Sequence, residues 1–365
     1  MENKISFCTV SMNRAHHIEK TLPQNILDNE DYSNCEFILL DYNSSDGLEE
    51  FVKTQLKKYI DNGKLIYYKT LTPTYFHRGH SLNTAFKLST GDIVCTIDAD
   101  NYTGKGFASY INMMFNRFES IFLAVDLNIY SSDVCGRVCS RSDDFFKIGG
   151  YDETMDCWGH DDDDIKNRLA LAGLEKKHIQ GGHFLNAISH GHEDRLANEY
   201  LLKFLKEIYL CHWTPSISHV LILLNNQKFQ NIVFLNSPSL NSYSYNNCLN
   251  PLDDYYINID EEEGYSGDWH VSENNKKFEL ITKEKDIFGF VKNGKNFQLD
   301  KKGNIYNYRE IKDKNFIELV IKEYSYAKNR IKLRKNSAAN TPVVNLNMEI
   351  GRGIVYKNFD YDNPI

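Results

Sequence analysis

No pair of cysteines in this sequence forms a C-x-x-C, although eight are present, and several sit in apolar runs of the kind that become buried strands. Reduced structural thiols are therefore expected rather than a disulfide framework or a zinc site. No excess of positive charge is present either. The 42 Lys and Arg stand against 50 Asp and Glu, a formal charge of −8, which repels a nucleic-acid backbone and excludes a polynucleotide as the natural partner. Long apolar runs are also missing. Stretches such as Ile217 to Leu224 and Ile121 to Leu127 fall far short of the ~20 residues that span a bilayer as a helix. The opening MENKISFCTV carries no charged leader followed by an apolar stretch, so a soluble, cytoplasmic chain is predicted. Peripheral contact with the inner membrane face rests on one basic cluster, Lys328 to Lys335, which a solvated helix face explains better. No internal repeat is evident.

What is present is an alternation of short apolar runs with helical patterns, the signature of a largely parallel α/β sheet. Strands are predicted at Ile5 to Val10, Glu36 to Leu40, Lys64 to Lys69, Asp92 to Ile97 and Ile121 to Val125. Helices are predicted at Glu19 to Asn29, Leu48 to Tyr59, Gly79 to Leu88, Asp164 to Ala172 and Arg195 to Leu210. Composition shifts to polar, turn-rich sequence after Pro215. The division expected is a catalytic domain over 1–235, a linker over 236–254 and a smaller β-containing accessory domain over 255–365, with a helix near Asn315 to Lys332.

Three segments carry chemistry. The strand at Asp92 ends in Asp98-Ala99-Asp100, and an i, i+2 carboxylate pair there points to one side of the sheet, where open α/β sheets bind ligands. Carboxylate oxygens suit a hard divalent cation that neutralises charge growing on a diphosphate leaving group. An isolated D-x-D is more often a strand ending in turn-forming acids, and the neighbouring residues set this one apart. Upstream, Tyr75 to Asn83 (YFHRGHSLN) offers Phe76 to stack on a base or sugar and Arg78 to contact phosphate. In the second segment, Trp158-Gly159-His160-Asp161-Asp162-Asp163-Asp164 opens a helix. Four consecutive carboxylates repel unless a helix dipole, metal or ligand compensates them. One can then cap the helix while another serves as a general base, with the indole of Trp158 as a sugar platform. The third segment, Ser189-His190-Gly191-His192, brings two imidazoles, and His190 is the candidate to complete a site begun by Asp100. His16, His17, His178, His212 and His219 are read as structural.

Taken in order, these segments and two earlier ones, TVSMNR at Thr9 to Arg14 and DYNSSDG at Asp41 to Gly47, resemble the glycosyltransferase family 2 superfamily with its GT-A fold. The likeness is greatest to the β1,4-galactosyltransferase and chondroitin-polymerase-like group, through FHRGHSLN, DAD and WGHDDDDI-x-x-R-L. The resemblance implies that Ser11, Arg14, Asp41, Phe76 and Arg78 line the uridine and ribose pocket. It places Asp98 near ribose and metal, and gives Asp100, His190 and His192 the metal, Mn2+ with Mg2+ as second choice. Asp162 would be the catalytic base, Asp161 its acceptor-holding neighbour, and Trp158 the floor shared by donor and acceptor. The implied activity is inverting transfer of a hexose or N-acetylhexosamine, Gal or GalNAc favoured, from a UDP-sugar to a glycan or lipid-linked oligosaccharide in polysaccharide biosynthesis. Departures from the group's motifs are His160 for the second glycine, Asp161 for glutamate, Tyr42 for a second aspartate, and Ala187 where a sulfur ligand can stand. Two competing readings are a sugar-1-phosphate nucleotidyltransferase, whose Gly-rich loop VSMNRAHH lacks, and a non-catalytic glycan-binding protein, against which the intact acids and His190 argue.

Overall fold

A computed structural model describes residues 1–126, 132–214, 216–235, 266–271, 277–285, 287–293, 296–301 and 304–365. The chain divides into two compact units, one made of Met1–Gly191 with Lys332–Ile365, the other of His192–Ile331.

In the first unit the order begins β1 (Ile5–Ser11), α1 (Ala15–Asp28), β2 (Cys35–Tyr42), α2 (Leu48–Gln55), α3 (Lys57–Asp61), β3 (Leu65–Thr70), α4 (Arg78–Lys87), β4 (Ile93–Thr96) and β5 (Asn101–Tyr102). It continues with α5 (Phe107–Arg117), β6 (Ile121–Ala124), β7 (Val138–Arg141), α6 (Ser142–Lys147), α7 (Asp161–Leu171), β8 (Glu175–His178) and β9 (Asn186–Ala187). In the second unit α8 (His192–Leu196) and α9 (Tyr200–Phe204) precede β10 (Leu205–Thr214), β11 (Ile217–Leu224), β12 (Lys228–Leu235), β13 (Ser266–Val271), β14 (Lys277–Thr282), β15 (Ile287–Asn293), β16 (Asn296–Lys301) and β17 (Asn304–Glu310). Helix α10 (Lys314–Ala339) leads the chain back into the first unit, which ends with β18 (Tyr356–Lys357).

Eight strands form a mixed sheet in the order β18-β3-β2-β1-β4-β7-β6-β8. β1 to β4 run parallel to one another, β18 pairs antiparallel with β3, and β7 enters antiparallel to both β4 and β6. Successive residues of β1 serve opposite faces. Phe7 joins Phe37, Leu39 and Cys95 under α1 and α5, while Cys8 and Val10 join Ile38, Leu40 and Val94 under α4 and α7. A strand covered on both faces has no polar side to show, which is why these strands read as unbroken apolar runs. Helix α1 buries Ile18, Leu22 and Ile26, one per turn on a single face, and each such side chain contributes about 1.5–3 kcal/mol.

The second unit is a closed barrel of β10 to β17 in sequence order, antiparallel throughout, with Tyr209 of β10 opposite Glu310 of β17. Its residues alternate. Ile208, Leu210, Val220, Ile222 and Leu224 pack with Phe316, Val320 and Ile321 of α10, and the alternate set, Tyr209, Cys211, Leu221 and Leu223, packs with Trp269, Phe278, Leu280 and Tyr308.

The expected boundaries at 235 and 254 do not coincide with these units. β10, β11 and β12 pair into the barrel instead of closing the first unit, and 332–365 return to the first unit instead of completing an accessory domain. The helix expected over Arg195 to Leu210 is also corrected: it stops at Phe204, and Leu205 onward is strand, because β11 and β17 offer ladders on both sides. The linker expected over 236–254 lies outside the described residues. No helix among the described residues is long and apolar enough to cross a membrane.

Candidate active site

At the carboxyl edge of β1 and β2, two loops lace together. Asn13, in a left-handed conformation at φ 55°, accepts from the Ser45 amide at 2.8 Å, and its own amide donates to Ser44 Oγ at 3.0 Å. Asp46 crosses to cap α1, accepting from the Ala15 amide at 2.7 Å. Ser11 ends β1 here, 1 % exposed, with no hydrogen-bond partner for its hydroxyl. An orphaned buried hydroxyl at this edge is what a ligand-binding group looks like before its ligand arrives. Arg14 lies beside it in chain order, its Nη1 3.5 Å from His17 Nδ1. Phe76 meets Tyr42 edge-on, and the Tyr42 hydroxyl and His80 Nδ1 are 2.8 Å apart.

Asp41, expected among the donor contacts, also has partners within the fold. It is fully buried, with Oδ1 accepting from the Ser44 amide and Oδ2 from the Tyr67 hydroxyl, each at 2.7 Å, and Lys69 Nζ 3.3 Å away. These contacts let the carboxylate shape the loop that follows β2.

Arg78 opens α4 and is the hub of the site. Nη1 donates to Asp162 Oδ1 at 2.6 Å and to Asp161 Oδ2, while Nη2 donates to Asp98 Oδ1 at 3.0 Å. Burial alone would lower the guanidinium pKa, yet Asp162, Asp161 and Asp98 together hold it well above its ordinary value. For Asp162 the balance falls the other way. Burial raises its carboxyl, Arg78 opposes, and the net direction is upward.

The sequence raised the question of how four adjacent aspartates coexist, and helix geometry answers it. Gly159 and His160 both take left-handed conformations, φ 97° and 64°, turning the chain sharply into α7. A left-handed φ accounts for the glycine that related motifs carry there, and His160 adopts it against the preference of a residue with a side chain. Successive residues then point about 100° apart. Asp161 and Asp162 reach Arg78. Asp163 faces His160 Nδ1 at 3.2 Å and Lys166 Nζ at 3.1 Å, with the His160 contact the larger cause of a pKa pushed down to about 2. Asp164 turns inward to Arg168 Nε at 2.7 Å and Asn336 Nδ2 at 2.8 Å. Each acid thus has a cationic partner, with Arg78 shared by Asp161 and Asp162. Trp158 lies half-buried on the loop just before this turn.

A second centre involves Asp100. The two acids of DAD were expected to point to one side of a strand, but β4 ends at Thr96, and Asp98 to Asn101 form a turn in which the Asn101 amide donates to the Asp98 carbonyl at 2.9 Å. The carboxylates diverge in consequence. Asp98 goes to Arg78, and Asp100 Oδ2 lies 2.8 Å from Nε2 of His190, ninety residues away in sequence. β5 pairs with β9, and the Ile188 amide donates to the Asp100 carbonyl at 2.8 Å, which returns the His190 segment to this edge. His192 opens α8, and its side chain lies outside the described ones.

Residues not singled out from the sequence complete the site. His17, 2 % exposed, lies with its ring 5.0 Å from that of His190. Burial, then His16 and Arg14, lower its pKa to about 4, so it is neutral at pH 7 and able to act as a ligand. Arg137, fully buried, donates to the Tyr102 carbonyl at 2.9 Å, to Asn101 Oδ1 at 3.2 Å and to the Phe184 carbonyl, bracing β5 against the turn before β9. Cys135 Sγ lies 3.7 Å from Asp162 Oδ2. No spacing in the sequence marks this segment, because it reaches the site only through the sheet order.

Asp100 and His190, a carboxylate and an imidazole 2.8 Å apart, offer the oxygen and nitrogen donors that suit a borderline-hard divalent cation such as Mn2+ and are the residues that would hold it, with the His17 ring beside them.

Residues 6–170 match the model of glycosyl transferase family 2. The matched segment runs from β1 into α7 and contains Arg78, Asp98, Asp100, Asp161 and Asp162. Its mixed sheet with flanking helices is the GT-A fold, joined in this chain by the C-terminal β-barrel. The fold class accordingly stands as the motifs implied, and the segment similar to that family is somewhat less than half of the chain. No curated protein sequence matches the chain. Among solved structures, a Pyrobaculum calidifontis mannosyltransferase in complex with GDP-Man and Mn2+ is similar at 19 % identity and TM-score 0.45, over 54 % of this chain and 61 % of that one. S. aureus TarS with UDP is similar at 17 % identity and TM-score 0.42, over 52 % and 62 %. A Drosophila β-1,4-galactosyltransferase 7 mutant with manganese, UDP-Gal and xylobiose is similar at 12 % and TM-score 0.37, over 53 % and 74 %. The chain spans about three fifths of the length of the first two.

Proposed function

We propose that this protein is an inverting, metal-dependent glycosyltransferase that moves a hexose or N-acetylhexosamine from a UDP-sugar to a hydroxyl of a glycan acceptor. The motif resemblance to the galactosyltransferase-like group favours galactose or N-acetylgalactosamine. One observation carries the reading: Asp98, Asp161 and Asp162, drawn from separate stretches of chain, converge on the single guanidinium of Arg78.

In the proposed reaction the acceptor oxygen attacks the anomeric carbon from the face opposite the leaving group. The new C–O bond forms as the bond to the diphosphate breaks, and the nucleoside diphosphate leaves with the electron pair. The acceptor proton passes to the carboxylate of Asp162, so no protein nucleophile and no covalent sugar intermediate is needed. When bound, the divalent ion supplies positive charge against the diphosphate. Arg78 keeps Asp162 ionised until the acceptor arrives, and the orphaned hydroxyl of Ser11 gains its partner from the donor.

Thermal denaturation across a panel of UDP-sugars, with and without Mn2+, tests the reading. The cognate donor raises the melting temperature only when metal is present, because a ligand that binds the native state alone stabilises it. Equal stabilisation with and without metal, or none by any UDP-sugar, would refute it.

A further inference from the structure

Asp162 is held on both sides. Arg78 takes Oδ1 at 2.6 Å, and the Cys135 thiol donates to Oδ2 at 3.7 Å. The segment bearing Cys135 is fixed before and after it. Val134 is 1 % exposed, and its carbonyl accepts from the Arg137 amide at 3.1 Å. Gly136 is pressed so closely onto the Arg78–Asp98 pair that a Cβ there would meet Arg78 Nη2 at 2.6 Å and Asp98 Oδ2 closer still. Arg137 is anchored by the carbonyls of Tyr102 and Phe184. A rigid support of this kind sets an attached side chain reproducibly.

We infer that Cys135 is a positioning residue, its thiol fixing the plane of the Asp162 carboxylate so that one oxygen stays directed at the acceptor hydroxyl. The inference rests on the reading of Asp162 as the base. The charged and titratable groups around Asp162 are Arg78 from α4, Asp161 and Lys166 from α7, and Tyr151 from the preceding loop; Cys135 also feels Asp98. Burial, with Asp162 and Asp98, pushes the thiol pKa far up, so it remains S–H, a donor and not a nucleophile.

A hydrogen bond to an ionised carboxylate favours the ionised form. Cys135→Ala therefore moves the acidic limb of the kcat profile upward by about 0.5–1 pH unit with the donor KM unchanged. Cys135→Ser, which keeps a donor, leaves the limb near its original place, so a general loss of packing is distinguished from a lost hydrogen bond. A second readout needs no turnover. In Asp162→Asn the negative charge facing the thiol is gone, and site-resolved alkylation of Cys135, followed by mass spectrometry, quickens by about tenfold for each unit its pKa falls. An unmoved limb in a folded Cys135→Ala protein, or equal alkylation in wild type and Asp162→Asn, overturns the inference. Should Asp162→Asn keep transferring sugar, the base reading falls instead, and the alkylation rates alone decide the Cys135 contact.

Discussion

Replacing Arg78 by methionine keeps most of the side-chain volume and removes the charge together with its N–H donors, which makes it the sharpest perturbation the site offers. Arg78 retains 19 % side-chain exposure, and Asp161, Asp162 and Asp98 retain 8 %, 16 % and 25 %. The substitution strands three carboxylates around one apolar group. Removing one member of a buried ion pair costs about 3–5 kcal/mol, because the remaining charge is left desolvated and uncompensated. For a unit of this size each kcal/mol is worth about 2–4 °C, so the melting temperature falls by about 6–20 °C. The deficit depends on pH in a defined direction. Loss of the cation raises the Asp162 carboxyl further above its unfolded value, and a carboxyl raised on folding destabilises fully above its folded pKa and not at all below its unfolded one. The gap between wild type and Arg78→Met is therefore widest near pH 8 and narrows toward pH 4 as Asp162 takes up its proton. Thermal or urea melts at both pH values measure it. A loss under ~1 kcal/mol, or one of equal size at the two pH values, would refute the view that Arg78 holds the three acids together.

Three further outcomes follow from the same geometry. Gly136→Ala forces a methyl group into the Arg78–Asp98 contact, costing about 1–3 kcal/mol and weakening donor affinity, both readable by melting and calorimetry. Asp100→Ala reduces Mn2+ affinity by at least about tenfold in calorimetry without donor, and His190→Ala moves it in the same direction. Truncation after Asn340 removes β18, the stacking of Phe359 on Tyr67 at 4.8 Å and the bonds of Asn345 to the Gly149 and Tyr151 carbonyls, and lowers the melting temperature of the first unit in calorimetric scans.

How much of this was legible beforehand varies by element, for physical reasons. β1 to β4 could be read almost to the residue, because strands covered on both faces are continuous apolar runs bounded by polar turns. Asp100 and His190 could be paired from motif order, and the fold brings them into contact. β10 could not be read. Leu201, Leu202, Leu205 and Ile208 suit a helical face, and only pairing with β11 and with β17, a hundred residues on, shows that Ile208 and Tyr209 serve opposite sides of a barrel wall. Asp41 resembles a ligand contact in its motif, and the internal partners it also holds, the hydroxyl of Tyr67 and the ammonium of Lys69, arrive from a neighbouring strand. Cys135 and Arg137 carry no local signal whatever. They matter because β7 inserts antiparallel between β4 and β6, which delivers the preceding segment to the DAD turn.

Sugar transfer by Asp162→Asn, assayed beside its donor binding, tests the central claim most directly. The account predicts UDP-sugar affinity within about twofold of wild type and a kcat lower by about 10²–10⁴, the range a general base contributes. Turnover at the wild-type rate by a variant that still binds donor would contradict it.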